Sequence, residues 1–320
     1  MPIISFPPRL PSGRTFDVVG LGANACDHLV QVPRHPAAGE KVRFRAYHRE
    51  GGGQTATALV AMQRLGVRTC YIGGVGDDDE GRDVLAELAR EGVDVSMVRV
   101  RPGGLTQRAL ILVDADSGER TIVWGRSEGM VVSAEEIVPD QIEAGRILHT
   151  DAQDPRAAAC AARVARAAGM PVMTDLEPVR PGLDELLPEV DFLICSAEFP
   201  ERATGRPDLA EALGLLHERT RGGTVMATLG EGGVALLRGD GLAYFPAYRV
   251  AAIDTTGAGD VFHGGFAVAM VMGLELGEAI DFAQAVAAMK CLHPGGRSGL
   301  PRDREAVLAF QRKTPRREGG

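Results

Sequence analysis

The chain has 320 residues, enough to bury a substantial core as one large domain or as one large and one small. It is 45% apolar and 24% charged, ordinary for a folded globular protein, and no stretch approaches the roughly 20 apolar residues of a membrane span. A formal net charge of −8 argues against a broad nucleic-acid or anionic-membrane surface, so neither partner is expected.

From the N terminus, Met1 to Arg14 is Pro-rich, lacks the basic-then-apolar pattern of a signal peptide, and is expected as a tail. Phe16–Gly22 reads as a strand, and Asp27, His28 and Leu29 lead into an extended Pro-bounded segment. Lys41–His48 alternates Val42, Phe44 and Ala46 against Arg43, Arg45 and Tyr47, as a strand with one wet face does. Thr55–Leu65 reads as a helix and Thr69–Gly73 as a strand. Asp79–Glu91 carries Val84, Leu85 and Leu88 at helical spacing and stops at Gly92. Gln107–Trp124 predicts a hairpin turning at Asp114–Gly118. From Ile147 onward strands alternate with helices: Ile147–Thr150 with Pro155–Ala168, then Val172–Asp175 with Gly182–Leu187. Phe192–Cys195 with Leu209–Thr220 follows, then Thr224–Leu229 with the return strand Val234–Leu237. Two long helices, Ala258–Met272 and Leu276–Leu292, close the pattern, and the basic, Gly-terminated end Gln311–Gly320 is expected to fray.

This alternation predicts an α/β fold with a central, mostly parallel sheet, spanning residues 15–310 between tails at 1–14 and 311–320. The antiparallel-type insertions, at about 31–50 and 98–126, predict a small separate sheet that would act as a lid over a cleft. Such a sheet can pair across a two-fold axis through its Val42/Phe44 face, so a homodimer is expected. Cys26, Cys70, Cys160, Cys195 and Cys291 form no CxxC pair, which suggests a reduced, cytoplasmic setting without a disulfide framework or zinc site.

The most informative segment is Ile253-Asp254-Thr255-Thr256-Gly257-Ala258-Gly259-Asp260-Val261-Phe262. A glycine pair leads straight into an apolar helix, whose first N–H groups lack partners within the helix and form an anion site. Asp260, in the first turn, stands where a carboxylate can take a proton from an attacking hydroxyl. On the residues alone, a well-capped helix with an acidic first turn explains the segment about as well.

The run DTTGAGDVFHGGF resembles the C-terminal signature of the PfkB (ribokinase-like) carbohydrate kinase family. The rest of the chain agrees. Gly22-Ala23-Asn24 with Asp27, Gly39, Gly51-Gly52-Gly53 and Arg64-Leu65-Gly66 resemble its sugar-binding half. Gly74-Val75-Gly76-Asp77-Asp78 with Gly81 and Gly92-Val93-Asp94, and Thr228-Leu229-Gly230-Glu231-Gly232-Gly233, are also similar to the family. The resemblance runs from about Asp17 to Pro301 and implies a ribokinase-like three-layer α/β/α domain with a β-sheet lid. It also implies phosphorylation of a sugar hydroxyl by ATP with Mg2+. Residue by residue, Asp260 matches the catalytic base, and Gly257, Ala258 and Gly259 match the hole for the transferring phosphoryl group. Asp27 matches the carboxylate on sugar hydroxyls, with Gly52, Gly53 and Thr57 also at the sugar. Thr228, Gly230 and Gly233 fall along ATP, Gly295 and Gly296 near its adenine end, and Asp254 where many relatives hold a monovalent cation such as K+.

Two departures stand out. Thr57 takes the place of an Asn that contacts sugar in many relatives. The family's Asn-x-x-Glu, which organises magnesium, aligns with Ser196-Ala197-Glu198-Phe199, so Glu198 is one residue out of place; Asp175 and Glu177 are the alternatives. With Lys290-Cys291 and Pro294-Gly295-Gly296-Arg297, the Thr57 variant resembles fructose- and sulfofructose-type kinases, which favours a ketohexose or a derivative. Arg43, Arg45 and Arg49 form either a solvated strand face or contacts to an anionic substituent; ribose and nucleosides follow as substrates. A sugar-binding regulator without catalysis is the non-enzyme alternative, and the intact Gly257–Asp260 run argues against it. Lysines stand only at 41, 290 and 313 and no GxxxxGK[ST] exists, which excludes a P-loop, as the missing HRD and DFG exclude the protein-kinase pattern. The GxGxxA at Gly20–Ala25 is no dinucleotide fingerprint, since no helix clearly follows it.

Overall fold

The computed structural model describes residues 5–116, 120–239 and 241–317. The N-terminal part comprises β1 (Val18–Leu21), β2 (Ala25–Val32), β3 (Ala46–Gly52), α1 (Gln54–Arg64), β4 (Thr69–Ile72), β5 (Gly74–Gly76) and α2 (Asp79–Arg90). Then come β6 (Arg99–Arg101), β7 (Arg108–Asp114), β8 (Arg120–Gly125), α3 (Pro139–Glu143), β9 (Ile147–Thr150) and α4 (Pro155–Ala167). The middle continues through β10 (Val172–Leu176), α5 (Leu183–Leu186), β11 (Phe192–Ser196), α6 (Phe199–Thr204), α7 (Leu209–Arg219) and β12 (Thr224–Thr228). The C-terminal part is β13 (Val234–Arg238), β14 (Gly241–Phe245), α8 (Ala258–Met272), α9 (Leu276–Lys290) and α10 (Arg304–Lys313).

Eight strands form the central sheet in the order β14-β13-β12-β11-β10-β9-β1-β4, and only β13 runs against the others. Its strands are apolar at consecutive positions because both faces are covered. Val18, Ile147, Met173, Phe192, Ile194 and Met226 point into a core built with α1, α8 and α9. Their neighbours Val19, Leu148, Val172, Leu193 and Val225 point into the opposite core, built with α4, α5 and α7. This is the three-layer arrangement the sequence predicts. Helices α1 and α8 approach so closely that a Cβ at Gly264 would sit 2.9 Å from Ala58 O and Ala61 Cβ, so glycine is required there. Among the described residues, no helix is long and apolar enough to cross a membrane.

A second, four-stranded sheet has the order β3-β2-β7-β8; β7 and β8 fall in the second expected insertion, whereas β2 begins at Ala25, before the first expected at about residue 31. The predicted hairpin is present as β7 and β8, paired from Arg108↔Gly125 to Val113↔Arg120; residues 117–119 of its turn region lie outside the described residues. The strand expected at Lys41–His48 is displaced to Ala46–Gly52. Its partner β2 ends at Val32, before Pro33, so the ladder closes at Gln31↔Ala46 and Val42 and Phe44 have no strand to pair with.

The expected tails are also tied down where they are described. Phe6 packs on Phe192 and Phe266 with ring centroids 5.7 and 5.5 Å apart. At the other end, Arg316 lies 3.6 Å over the Tyr248 ring and donates to Gln284 Oε1 (2.9 Å), and Arg317 N donates to Ala247 O (2.8 Å). Cation–π stacking and backbone pairing hold a stretch whose composition alone suggests fraying.

Candidate active site

The start of α8 is the centre of the site. Gly257 caps the helix at φ +72°, a left-handed conformation that favours glycine. Ala258 N donates to Thr255 O (3.1 Å) and Val261 N to Gly257 O (2.9 Å). Among the described residues, the Gly259 and Asp260 amides have no such acceptor and are the open donors of the helix start. A Cβ on Gly259 would meet nothing within 4 Å, so open space faces these donors. Asp260 projects from this turn. Burial, reinforced by the Asp175 carboxylate, pushes it up to about 8, a suitable value for a general base. His263, one turn on and 1% exposed, holds the turn through Gly259 O (2.7 Å from Nδ1) and lies 3.5 Å from Asp175 Oδ2.

On one side of this turn lies a cavity of about 280 Å³, walled by Val250, Phe262, Ala287 and Ala288 and reached by Thr228, Gly230 and Gly233. It is mostly apolar, and Ala258 and Gly259 stand at its edge, which suits a flat base leading to an anionic chain. Gly295 and Gly296, expected at its adenine end, do not line it. Gly296 N donates to Glu50 and Gly295 N to Asp254 Oδ2 (2.8 Å), which places the pair on the far side of Gly257. In their stead, Arg317 from the C-terminal segment borders the cavity and bonds Glu231 (2.7 Å).

On the other side, Asp27 is 9% exposed on β2. Gly52 lies directly against it: a Cβ there would sit 2.0 Å from Asp27 Oδ2. Gly53, at φ +88°, completes the sharp entry into α1. Burial pushes the Asp27 carboxyl up to about 6, with Arg297 opposing the shift and Glu50 and Glu87 adding to it. Arg297 is the cation of this group. It donates to Gly52 O (2.8 Å), Thr57 Oγ1 (3.2 Å) and Glu87 Oε1 (2.9 Å) and is 3% exposed. Thr57 is therefore beside Gly257, with its hydroxyl accepting from Arg297.

The acidic residues proposed to hold metal are not brought together. Glu198 is exposed at the tip of β11, while Asp254 accepts from Thr256 N and Gly295 N (both 2.8 Å). Burial pushes Asp254 up, but these amides and the Lys290 charge outweigh it, and the carboxyl sits below its ordinary range. No group of three or more metal-ligating side chains occurs among the described residues. Mg2+ commonly arrives on substrate phosphates with one or two carboxylates, so a preformed cage of protein ligands is not needed to hold it. A monovalent cation at Asp254 does not fit. Lys290, 0% exposed, donates from Nζ to Asp254 O at 2.8 Å, so an ammonium already holds that carbonyl.

Two carboxylates stand at the strand ends, Asp151 and Asp175, of which the sequence marks only Asp175. Asp151, just after β9, accepts at Oδ2 from Ala23 N (2.7 Å), Thr55 N (3.2 Å) and Thr55 Oγ1 (2.9 Å), clamping the β1 turn to α1. Asp175 ends β10 beneath Asp260, and burial raises it well above its usual range. Their position at the carboxyl ends of parallel strands was the available signal. Arg45 and Arg49, by contrast, are exposed and paired with Asp116 and Asp83.

Fold and site together define an α/β enzyme with an anion-binding helix start between an apolar cavity and a buried polar group. The sequence matches the pfkB family carbohydrate kinase pattern over residues 16–303. A ribokinase of Haemophilus influenzae is 32% identical over 301 residues, 91% of this chain and 96% of its own. A fructokinase of Klebsiella pneumoniae is 32% identical over 276 residues, 78% of this chain and 88% of its own. The structure of Arabidopsis thaliana ribokinase complexed with ribose and ATP is 26% identical and aligns with a TM-score of 0.77, covering 93% of this chain and 99% of that one. The chain belongs to the pfkB family and is a carbohydrate kinase.

Proposed function

We propose that this carbohydrate kinase phosphorylates a hydroxyl of a ketohexose, or of a ketohexose derivative, at the expense of ATP. The observation that carries the reading is Asp260 beside the open amides of α8, between the apolar cavity and the Asp27 group. ATP, bound with Mg2+, supplies the phosphoryl group. Asp260 takes the proton of the acceptor hydroxyl as its oxygen bonds to the γ-phosphorus and the bond to the β,γ-bridging oxygen breaks, releasing ADP. The Gly259 and Asp260 amides and the helix dipole stabilise charge on the group in transit. Asp27 accepts from sugar hydroxyls, with the Gly52 and Gly53 backbone against the ring. Thr228, Gly230 and Gly233 border the nucleotide. Glu198 is the proposed aid to magnesium, exposed at the same sheet edge.

Thr57, which stands in place of the family's sugar-binding Asn and whose hydroxyl accepts from Arg297, is the departure that favours a ketohexose over ribose in this reading. Ribose is the second reading, favoured by relatives named ribokinase. The lid sheet leaves Tyr47, Leu110 and Val123 half or more exposed on one face, which supports a homodimer through that face. Comparing kcat/KM for fructose and ribose with Mg-ATP tests the substrate reading; a higher value for ribose would reverse it.

A further inference from the structure

Lys290 ends α9 with its amine sealed from water. It is 0% exposed, and a lysine is almost never fully buried unless it is paired. Among the described residues, no carboxylate forms an ion pair with it, and its one hydrogen bond runs from Nζ to the Asp254 backbone carbonyl (2.8 Å). Burial draws the amine below its ordinary range, and the Asp254 and Glu50 carboxylates oppose that. A cation in the last turn of a helix is ordinary, because it meets the negative end of the dipole. Such a lysine normally keeps its head in water, whereas this one is turned onto the loop before α8.

That loop is held at every polar group of Asp254. Its N–H donates to Cys291 O (3.3 Å), its carbonyl takes Lys290, and its carboxylate oxygens accept from Thr256 N and Gly295 N (both 2.8 Å). Ile253 N donates to the same Cys291 carbonyl at 2.7 Å. Of these partners only Lys290 is a side chain, and only it carries charge. The loop then turns at Gly257 (φ +72°) and aims the open Gly259 and Asp260 amides. A neutral amide donor would satisfy the Asp254 carbonyl without burying a charge, so the hydrogen bond alone does not account for a lysine. The charge does. A fixed positive charge behind a hole for a transferring phosphoryl group acts in the same direction as the helix dipole, and it counts for more where water is excluded.

We propose that Lys290 is a tethered monovalent cation, a positioning residue whose ammonium fixes the Asp254–Gly257 loop and adds its charge behind the phosphoryl hole. It takes the place that a free K+ would fill at the Asp254 carbonyl. Turnover is therefore independent of the salt in the wild type and becomes dependent on it once the lysine is removed. The proposal rests on phosphoryl transfer at the start of α8, whichever sugar accepts.

The test uses wild type, Lys290→Ala and Lys290→Gln in the full chain, in LiCl, NaCl, KCl and NH4Cl at matched ionic strength. The acceptor is whichever of fructose and ribose the wild type uses faster. Wild-type turnover should vary less than about twofold across the salts. In LiCl, Lys290→Ala should lose about 10- to 100-fold in kcat with KM for sugar and ATP within about threefold, the mark of a lost transition-state interaction. KCl or NH4Cl should recover most of that loss. Lys290→Gln, which offers the carbonyl a donor without charge, should stay slow in every salt. Melting temperatures make the same comparison without an acceptor: K+ or NH4+ should raise that of Lys290→Ala and leave the wild type unchanged. Wild-type kcat in Lys290→Gln would overturn the role of the charge. A Lys290→Ala protein that is equally slow, or unfolded, in all four salts would make Lys290 a residue of the fold alone and overturn the proposal. If neither sugar turns over, those acceptors fail as substrates, and the melting comparison still decides: a rise confined to Lys290→Ala sustains the tethered cation, and no rise sinks it.

Discussion

Replacing Arg297 with leucine should damage both the fold and the sugar site. Arg297 is 3% exposed and joins Gly52 O, Thr57 Oγ1 and Glu87 Oε1, three points from separate elements. Its loss leaves Glu87 with only the Gly51 amide (2.8 Å) and no charged partner, and removes the positive charge that opposes the rise of Asp27 and Glu50. Breaking a buried pair costs about 3–5 kcal/mol, and because the Glu87 side chain keeps 23% of its surface open, the lower end applies, about 3 kcal/mol. Urea denaturation reads this loss directly. The same change should drive Asp27 further above its value of about 6, so sugar binding, which needs the carboxylate, weakens at neutral pH and recovers as the pH rises. Adding Glu87→Gln to Arg297→Leu removes one uncompensated carboxylate and should restore part of the stability. A loss below about 1 kcal/mol, with an unmoved pH dependence of sugar binding, would refute the reasoning, since it would mean that water already compensates these carboxylates.

The pH dependence of kcat/KM should follow Asp260. Its raised value of about 8 leaves the protonated, inactive form dominant at neutrality, so the rate rises through about pH 8 and levels off above. Asp175→Asn removes a raising charge and should move that limb downward; an upward move would contradict the geometry. Asp27→Ala should raise KM for sugar far more than for ATP, and equal effects would take Asp27 out of the sugar site. Because Lys290 already holds the Asp254 carbonyl, turnover should change less than about twofold between Na+ and K+ salts at matched ionic strength, which screens exposed charges equally. A large K+ activation would mean that a cation competes successfully for that loop.

What the sequence revealed is what is local. The central strands announce themselves because they are apolar at consecutive positions, and the α8 start because a glycine pair abuts an apolar helix. Asp27 and Gly52 were recognisable through resemblance, and the structure supplies the reason for their co-occurrence: only a residue without a Cβ fits against that carboxylate. Arg297, Glu50 and Glu87 meet across more than two hundred residues of chain, and no local pattern marks them as one group. Lys290 reads as the last turn of an amphipathic helix until the fold shows its amine at Asp254 O. The misplaced strand at residues 41–48 shows the same limit, because its alternation was genuine but its partner strand stops at Pro33. Gly295 and Gly296, which the resemblance places near the adenine, do not line the cavity, and their amides donate to Asp254 and Glu50, distant in sequence.

The central claim is that Asp260 and the helix start behind it transfer phosphate to a sugar. The most direct measurement is ADP release from Mg-ATP by the full chain across neutral and anionic ketohexoses, ribose and adenosine, against a blank without acceptor, for wild type and Asp260→Ala. Wild type should release ADP only when an acceptor is present, and kcat should fall at least about a hundredfold in the variant with ATP affinity little changed. Near-normal turnover in Asp260→Ala would contradict it.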